Sequence, residues 1–197
     1  MSSECVDCPP GYYCIKNDSV ARGCPKGHIC PSHSISPTPC FTGTYNPKTL
    51  KTASKDCLNC PAGYFCNERG VVDYTLYECP EGHYCPDERQ TRKPLNCPAG
   101  TYRNSTKAID ENYDCWACNE GNFCNEASIY PEPCDPGYAC PLNSTKEYAC
   151  PPGVYCPAMS PSSINCPAGY YCPQYRTYQY KKCGNGTYCP ESSSAPR

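Results

Sequence analysis

The feature that most constrains this chain is a short cysteine loop that recurs along its whole length. The stretch CPPGYYC at 8–14 returns as CPKGHIC at 24–30 and as CPAGYFC at 60–66. Each loop has five residues between its cysteines and a glycine three residues after the first one. Eleven glycines hold this position: Gly11, Gly27, Gly43, Gly63, Gly82, Gly100, Gly121, Gly137, Gly153, Gly169 and Gly186. Such repetition predicts an array of small units, each contacting its neighbours, rather than one large globule.

The proline and glycine of the loop indicate its local geometry. Proline follows the first cysteine directly in seven of the eleven loops. Proline at the second position and glycine at the fourth predict that Cys-Pro-x-Gly is a type I β-turn. The residues between the glycine and the closing cysteine are then expected to leave the turn as a short extended strand.

Composition indicates that cross-links replace a hydrophobic core. The 197 residues include 23 cysteines but only 19 residues of Leu, Ile, Val and Phe together. Disulfides stabilise such chains by restricting the unfolded state, and they need an oxidising compartment. We therefore predict a small disulfide-rich fold: an elongated repeat array of β-turns and short two-stranded β-pieces, with little or no helix.

Charge and hydropathy limit the cellular location and the classes of partner that we expect for this chain. A net charge of −2 gives no reason to expect nucleic acid or an anionic membrane surface as a partner. No stretch is long and apolar enough to span a membrane, and the opening MSSECVDC lacks the apolar core of a signal peptide. We interpret the chain as a mature piece, or a portion, of a longer extracellular protein that is secreted or displayed on the cell surface.

A longer period is superimposed on the loops. Thr-Tyr follows the glycine at 43–45, 100–102 and 186–188. After the first two of these Gly-Thr-Tyr loops the next cysteine is delayed by 16 and 17 residues, and a C-x2-C pair then follows. This pattern predicts three cysteine-rich super-repeats, the third with two extra loops: 5–56, 57–114 and 115–197.

An apolar or aromatic residue stands two positions after each of the eleven glycines. The series is Tyr13, Ile29, Tyr45, Phe65, Tyr84, Tyr102, Phe123, Ala139, Tyr155, Tyr171 and Tyr188. We favour a thin core in which each ring packs on the disulfide of a neighbouring unit. The alternative is an exposed ladder of rings that stacks on sugars or another ligand.

The run CPPGYYC…CPKGHICP…CFTGTY…CLNC resembles the ephrin-receptor-like cysteine-rich repeats of secreted and cell-surface proteins. It is also similar to tumour-necrosis-factor-receptor modules, whose first loop opens C-x-x-G-T-Y. The resemblance covers nearly the whole chain, and it implies a stalk, a receptor or an extracellular fibre protein. The tandem five-residue loops depart from the receptor pattern.

Spacing alone does not give the disulfide connectivity. The resemblance implies that the first two Gly-Thr-Tyr loops close on their next cysteine, as Cys40–Cys57 and Cys97–Cys115. It also suggests crossed pairs between neighbouring five-residue loops: Cys8–Cys24, Cys14–Cys30, Cys60–Cys79, Cys66–Cys85, Cys118–Cys134, Cys124–Cys140, Cys150–Cys166 and Cys156–Cys172. The alternative joins cysteines across the connectors, for example Cys14–Cys24 and Cys30–Cys40.

The sequence gives no support for a metal site, a cofactor or an enzyme. The C-x2-C pairs lack the second pair about 15–20 residues later that a zinc ribbon needs, so disulfides are the better interpretation. His28 and His83 occupy the same loop position and His33 lies in a connector, which indicates repeat geometry rather than a converging site. No nucleophile stands in an elbow motif.

Glycosylation is better supported. Four N-x-S/T sequons lie in or beside connectors or turns, at Asn17, Asn104, Asn143 and Asn185. Connectors such as PSHSISPTP, PAMSPSS and PESSSAP are rich in Ser, Thr and Pro, which is typical either of a solvated spacer or of O-linked glycans.

The chain therefore looks like an extracellular structural protein, a glycosylated subunit of a flagellar-hair or cell-wall type of fibre or stalk. The alternative is a receptor-type or adhesive ectodomain that binds a protein or a glycan. A binding module is expected to carry a local departure from its repeat. The candidates are 69–78, Trp116 in CWAC, and QYRTYQYKK at 174–182, which we interpret as a contact between subunits.

The odd number of cysteines suggests how copies join. Cys5 begins a C-x2-C pair that no Gly-Thr-Tyr loop precedes, and Cys183 opens a Gly-Thr-Tyr loop that no C-x2-C pair follows. Pairing Cys183 of one copy with Cys5 of the next gives a head-to-tail covalent fibre with an 18-residue gap, close to the internal 16 and 17. Cys189 is then unpaired. The competing interpretation is a longer polypeptide, in which Cys183 and Cys189 pair with later cysteines.

Overall fold

The computed structural model describes residues 8–16, 20–86 and 93–197. Strands of two residues dominate it. The strands are β1 Tyr12–Tyr13, β2 Arg22–Gly23, β3 His28–Ile29, β4 Thr38–Pro39, β5 Thr44–Tyr45, β6 Leu58–Asn59, β7 His83–Tyr84, β8 Leu95–Asn96, β9 Thr101–Tyr102, β10 Trp116–Ala117, β11 Asn122–Phe123, β12 Glu132–Pro133, β13 Tyr138–Ala139, β14 Tyr148–Ala149, β15 Val154–Tyr155, β16 Ile164–Asn165, β17 Tyr170–Tyr171 and β18 Lys181–Lys182. Helix is confined, in the described residues, to α1 (Glu111–Asp114) and to 3-10 turns at Ser54–Asp56 and Tyr74–Leu76.

Consecutive strands pair into two-stranded antiparallel sheets in series, from β1 with β2 to β17 with β18. In the first hairpin Tyr12 lies opposite Gly23 and Tyr13 lies opposite Arg22. The strand that leaves each turn therefore pairs with the strand that precedes the next loop. These observations confirm the predicted disulfide-rich repeat array with very little helix.

The turn begins one residue later than predicted. The Tyr12 N–H donates to the Pro9 carbonyl oxygen at 3.1 Å, so the turn is Pro-x-Gly-x. Gly11 is its third residue and has φ +84°, the conformation that a type II turn requires there. The Cys8 carbonyl is not the turn acceptor, because it accepts instead from the His33 N–H at 2.9 Å.

Each five-residue loop closes on itself, so the crossed pairing is wrong. The observed pairs are Cys8–Cys14, Cys24–Cys30, Cys60–Cys66, Cys79–Cys85, Cys118–Cys124, Cys134–Cys140, Cys150–Cys156, Cys166–Cys172 and Cys183–Cys189. They replace the expected Cys8–Cys24, Cys14–Cys30, Cys60–Cys79, Cys66–Cys85, Cys118–Cys134, Cys124–Cys140, Cys150–Cys166 and Cys156–Cys172.

The turn explains this local pairing. It reverses the chain so that the Cα atoms of Cys8 and Cys14 lie 5.8 Å apart, within the usual disulfide range. The cysteine that opens the next loop ends the return strand beside the glycine instead. The Cys24 N–H donates to the Gly11 carbonyl at 2.8 Å.

The two long Gly-Thr-Tyr loops contain the pairs that the resemblance implies. Cys40 is bonded to Cys57, and Cys97 is bonded to Cys115. The inter-copy joint is contradicted at one end, because Cys183 is bonded to Cys189, which is therefore not unpaired. The other predicted partner, Cys5, lies outside the described residues.

The chain packs as two compact units. The first comprises the described residues of 8–80, 84–95 and 106–110, and the second comprises 81–83, 96–105 and 111–197. The first has a core cluster of Cys60, Cys66 and Val71. The second has one of Ala139, Cys150 and Cys156. The three super-repeats stay a prediction about the sequence period.

Within each unit, three main-chain hydrogen bonds join every loop to the next, with few exceptions. In the second unit the Gly121 N–H donates to the Cys140 carbonyl at 2.8 Å. The Asn143 N–H donates to the Cys118 carbonyl, and the Cys124 N–H donates to the Ser144 carbonyl, both at 2.9 Å. Equivalent bonds recur in the other loops, so the backbone fixes the register of the array.

Contacts also form between a loop and the second loop after it. The repeat pattern predicted contacts between neighbouring loops and did not indicate these. A Cβ placed on Gly153 would lie 2.7 Å from the Ser192 carbonyl oxygen, two loops further on. Gly100 stands in the same relation to Asn143, at 2.6 Å. The glycine of the loop therefore serves both the turn and the close approach of a later connector.

Candidate binding surface

The aromatic series forms a thin shell rather than a bare ladder. Of the eleven positions, Ile29 and Ala139 are buried, Tyr188 is 65% exposed, and the other eight are half-buried. Tyr45 packs against the cluster that holds the Cys60–Cys66 disulfide of the next loop. This contact is of the kind that the core interpretation predicts.

The first departure from the repeat, 69–78, fills the core of the first unit. Val71 is 4% exposed, and the ring of Tyr74 lies 4.7 Å from Tyr45 and 5.0 Å from Tyr64. Burial, followed by the nearby Tyr74, raises the pKa of Tyr45. This segment compensates for a scarcity of aliphatic residues and does not offer its aromatic rings as a continuous binding face.

The second departure, Trp116, belongs to a local stack. Its ring meets Tyr102 edge to face at 5.7 Å, and the Arg103 guanidinium lies 4.7 Å over its face. Arg103 also donates to the Asp114 carboxylate at 3.1 Å and to the Ser105 carbonyl at 3.1 Å. The stack closes the long loop 97–115, so its main role is structural.

Arg103 and its counterpart Asn46 are residues whose roles the sequence interpretation missed. Both stand six residues after an opening cysteine, where a regular loop has its closing cysteine. Asn46 is 1% exposed; its side-chain amide donates to the His28 carbonyl and its amide oxygen accepts from the Lys48 N–H, both at 3.0 Å. Aligning the loops on their glycines would have revealed both substitutions.

The third departure, 174–182, is the strongest candidate for a binding surface. It lies in the second unit, in a connector one residue longer than the two before it. An open groove of about 250 Å³ runs along it, and we call this the connector groove. Its lining residues are Pro173, Gln174, Arg176, Thr177, Tyr178, Gln179, Tyr180 and Lys181.

Tyrosines surround the connector groove. The ring of Tyr180 meets Tyr155 at 5.1 Å and Tyr170 at 4.7 Å, both edge to face. Tyr175 and Tyr178 are 65% and 54% exposed. The result is a fixed aromatic base with further rings open to solvent.

The backbone under the groove is held in place. The Arg176 N–H donates to the Cys150 carbonyl and the Cys156 N–H donates to the Thr177 carbonyl, both at 2.9 Å. The buried Thr177 hydroxyl donates to the Gln174 carbonyl at 2.6 Å. The groove is therefore preformed in the folded chain.

His28, His83 and the described C-x2-C cysteines form local hydrogen bonds and disulfides within the repeats. His28 and His83 each place Nδ1 within 2.9 Å of the carbonyl two residues earlier, which is the same bond in two repeats. Cys57 and Cys60, the two cysteines of one C-x2-C pair, are bonded to different partners, Cys40 and Cys66. Across the described ranges, no group of three or more His, Cys, Asp or Glu side chains is placed to hold a metal ion.

Three of the four sequon asparagines are exposed: Asn104, Asn143 and Asn185. Asn143 has φ +62°, in a connector position that has a left-handed backbone in the repeats that the structure describes. Asn17 lies outside the described residues. Exposure meets one requirement for N-linked glycosylation, and use of the sites remains a prediction.

In the part of the chain that the structure describes, no helix is both long enough and apolar enough to cross a membrane. No family model matches the chain. It is 26% identical over 160 residues to ABC transporter G family member 25 of Oryza sativa subsp. japonica, covering 65% of this chain and 14% of the transporter. It is 29% identical over 143 residues to cysteine repeat modular protein A of Toxoplasma gondii, covering 64% of this chain and 4% of that protein.

A shorter match, 42% identical over 38 residues, links 19% of the chain to 5% of the ABC-type transporter claG of Penicillium crustosum. The chain thus spans a small part of the length of each of these relatives. With eleven disulfides in tandem among its described residues, it is a cysteine-rich repeat protein of a kind that suits an extracellular structural or adhesive module.

Proposed function

We propose that the chain is an extracellular spacer, a glycosylated and disulfide-stapled module that builds the length of a stalk or fibre. The observation that carries this proposal is the hydrogen-bond register that repeats from loop to loop. Among the described residues each cross-link lies within one loop, and most loops use the same main-chain groups to bind the next. Such a design adds length by adding repeats and needs no large core.

Assembly with further copies is part of the proposal. Because Cys183 is bonded to Cys189, we propose that copies associate through non-covalent contacts. The N–H and C=O groups that join neighbouring loops recur along the described chain. A loop of one copy could therefore use the same groups to bind a loop of another copy. N-linked glycans at the exposed Asn104, Asn143 and Asn185 would keep the surface around them hydrated.

Electron microscopy of negatively stained native protein tests the spacer role. We expect rods or fibres with a uniform width, and small-angle scattering should give a maximum dimension well above that of a 197-residue globule. Compact round particles would overturn the proposal. Treatment with an amidase that removes N-linked glycans should lower the mass of the native protein, and an unchanged mass would remove the N-glycosylation part.

An adhesive role is the second candidate, and the connector groove is the specific observation that favours it. A pure spacer needs no cluster of exposed tyrosines. The other connectors of the second unit, 125–133, 141–149 and 157–165, each carry at most one exposed tyrosine. Binding through the groove is compatible with a spacer, since a stalk can also attach to its surroundings.

A further inference from the structure

The connector groove is both aromatic and positively charged. Residues 148–190 contain no aspartate or glutamate in a chain that has 19 of them. The charged side chains of this stretch are Arg176, Lys181 and Lys182, all exposed. In a chain with net charge −2, this stretch is a local positive region that attracts anions.

The fold does not dictate which residue stands at position 176 of the groove. Arg176 occupies the left-handed connector position, with φ +63°. The same position holds His33, Ala127, Met159 and Ser192 in other repeats, all with positive φ. The backbone therefore accepts many side chains there, so the fold does not require a guanidinium at this place. The Arg176 guanidinium lies 5.1 Å over the ring of Tyr138, and its edge N–H groups can still donate to an anion.

The side chains match three parts of an acidic sugar. Exposed tyrosine rings such as Tyr178 offer flat faces for the C–H face of a pyranose, as aromatic residues do in wet recognition sites. Gln174 and Gln179 carry amides that can both donate to and accept from hydroxyl groups. Arg176 and Lys181 supply charge-assisted hydrogen bonds to an anion.

We propose that the connector groove binds a linear polysaccharide that carries uronate carboxylates. This inference rests on the adhesive role and names its ligand class. The groove is open to solvent, so it suits the side of a polymer rather than a buried small molecule. One carboxylate per sugar matches the few cations of 173–182 and leaves the sugar faces free for the tyrosines.

Titration with a hexameric oligouronate tests the proposal, followed by amide NMR of the full oxidised chain. We expect shifts confined to residues of 173–182 and its tyrosine neighbours. The affinity should fall when sodium chloride is raised from about 50 to about 300 mM, because exposed charges are screened. A neutral hexasaccharide should bind at least about tenfold more weakly, given the strength of charge-assisted hydrogen bonds.

Matched variants locate the site. The double variant Arg176→Gln and Lys181→Gln should weaken binding about tenfold or more, by loss of both charge-assisted contacts. Tyr178→Ala should weaken it several-fold. Lys146→Gln and Tyr130→Ala, at exposed cation and tyrosine positions in other connectors, should leave it unchanged. Equal melting temperatures for the parent and these four variants confirm that the fold is intact.

The remaining outcomes overturn the inference. They are equal binding of the neutral sugar, binding of a sulfated hexasaccharide but not of the oligouronate, or equal effects of the control variants. Concentration-dependent self-association that the double variant abolishes, without oligouronate binding, would assign the groove to a second copy. Rod-shaped particles that bind no oligouronate would refute the ligand while leaving the spacer role intact.

Discussion

Two kinds of loop stand side by side in this chain, and they are closed in different ways. The loops of 118–124, 134–140 and 150–156 recur every 16 residues, and each is closed by a disulfide across six positions. The loops of 40–57 and 97–115 are closed across 17 and 18 positions. The long loops place Asn46 and Arg103 where the short ones place their second cysteine.

The backbone register survives this change. The Gly27 N–H donates to the Asn46 carbonyl at 2.8 Å, as Gly121 donates to Cys140. The Asn46 N–H donates to Val71 at 2.9 Å, as Cys124 donates to Ser144. The ladder of main-chain bonds therefore defines the repeat, whereas the disulfide is one of several ways to fill the space behind it.

Removing one disulfide of each kind gives the largest expected effect. The change Cys97→Ala with Cys115→Ala should lower the free energy of unfolding by about 3 kcal/mol, and Cys118→Ala with Cys124→Ala by about 2.5 kcal/mol, because the longer loop restricts the unfolded chain more. Urea unfolding of both double variants measures this order. A larger loss in the short loop would mean that its disulfide, and not the ladder, holds its register.

The close approach between every second loop is tested by a matched pair of glycines. Gly153 and Gly169 have φ +92° and +85°, so alanine is strained at both. Alanine at 153 would also place its Cβ 2.7 Å from the Ser192 carbonyl, whereas 169 has no atom within 4 Å. We expect a loss of about 1 kcal/mol for Gly169→Ala, from the left-handed backbone, and about 3 kcal/mol for Gly153→Ala, from strain plus overpacking.

Thermal unfolding of the two alanine variants at equal pH and ionic strength gives this comparison. Equal losses of stability in the two variants would show that the contact with the connector two loops further on does not stabilise the array. The pair of variants tests the contact between a loop and the connector two loops further on. Both glycines lie in the second unit.

The sequence predicted the local elements better than the links between them. Proline and glycine at fixed places were enough to predict a turn and a strand. The observed turn is type II, from φ +84° at Gly11, and it begins at Pro9, one residue later than predicted. Disulfide pairing depends on distances between cysteines, and crossed and local schemes fit the same spacing. The groove at 174–182 was identified as a departure from the repeat, but its packing around Tyr180 depends on rings from two other strands.

Replacing the buried amide tests how a long loop manages without a second cysteine. Asn46→Ala should lower the free energy of unfolding by about 2 kcal/mol, because the His28 carbonyl and the Lys48 N–H lose their side-chain partner. Asn59→Ala, at an exposed strand position, is the control and should stay within about 0.5 kcal/mol of the parent. An unchanged free energy of unfolding in Asn46→Ala would show that water replaces the side-chain amide without loss of stability.

The smallest predicted effect is a pH dependence in the long loop 40–57. The Asp56 carboxylate accepts from the N–H groups of Ala53 at 3.0 Å and Thr52 at 3.1 Å, and from Lys51 at 3.3 Å. These bonds, that of Ala53 first, hold the pKa of Asp56 below its ordinary value. A lowered pKa means that this stabilisation is complete above the unfolded value of about 3.9 and is lost as the pH falls through the folded pKa.

Amide exchange measured from pH 6 to pH 2, corrected for intrinsic rates, tests this pH dependence. Protection should fall at Thr52 and Ala53. The Cys124 amide, which is bonded to the Ser144 carbonyl, should keep its protection. Asp56→Asn should remove the pH dependence, and unchanged protection of Thr52 and Ala53 in the parent protein down to pH 2 would contradict the assignment.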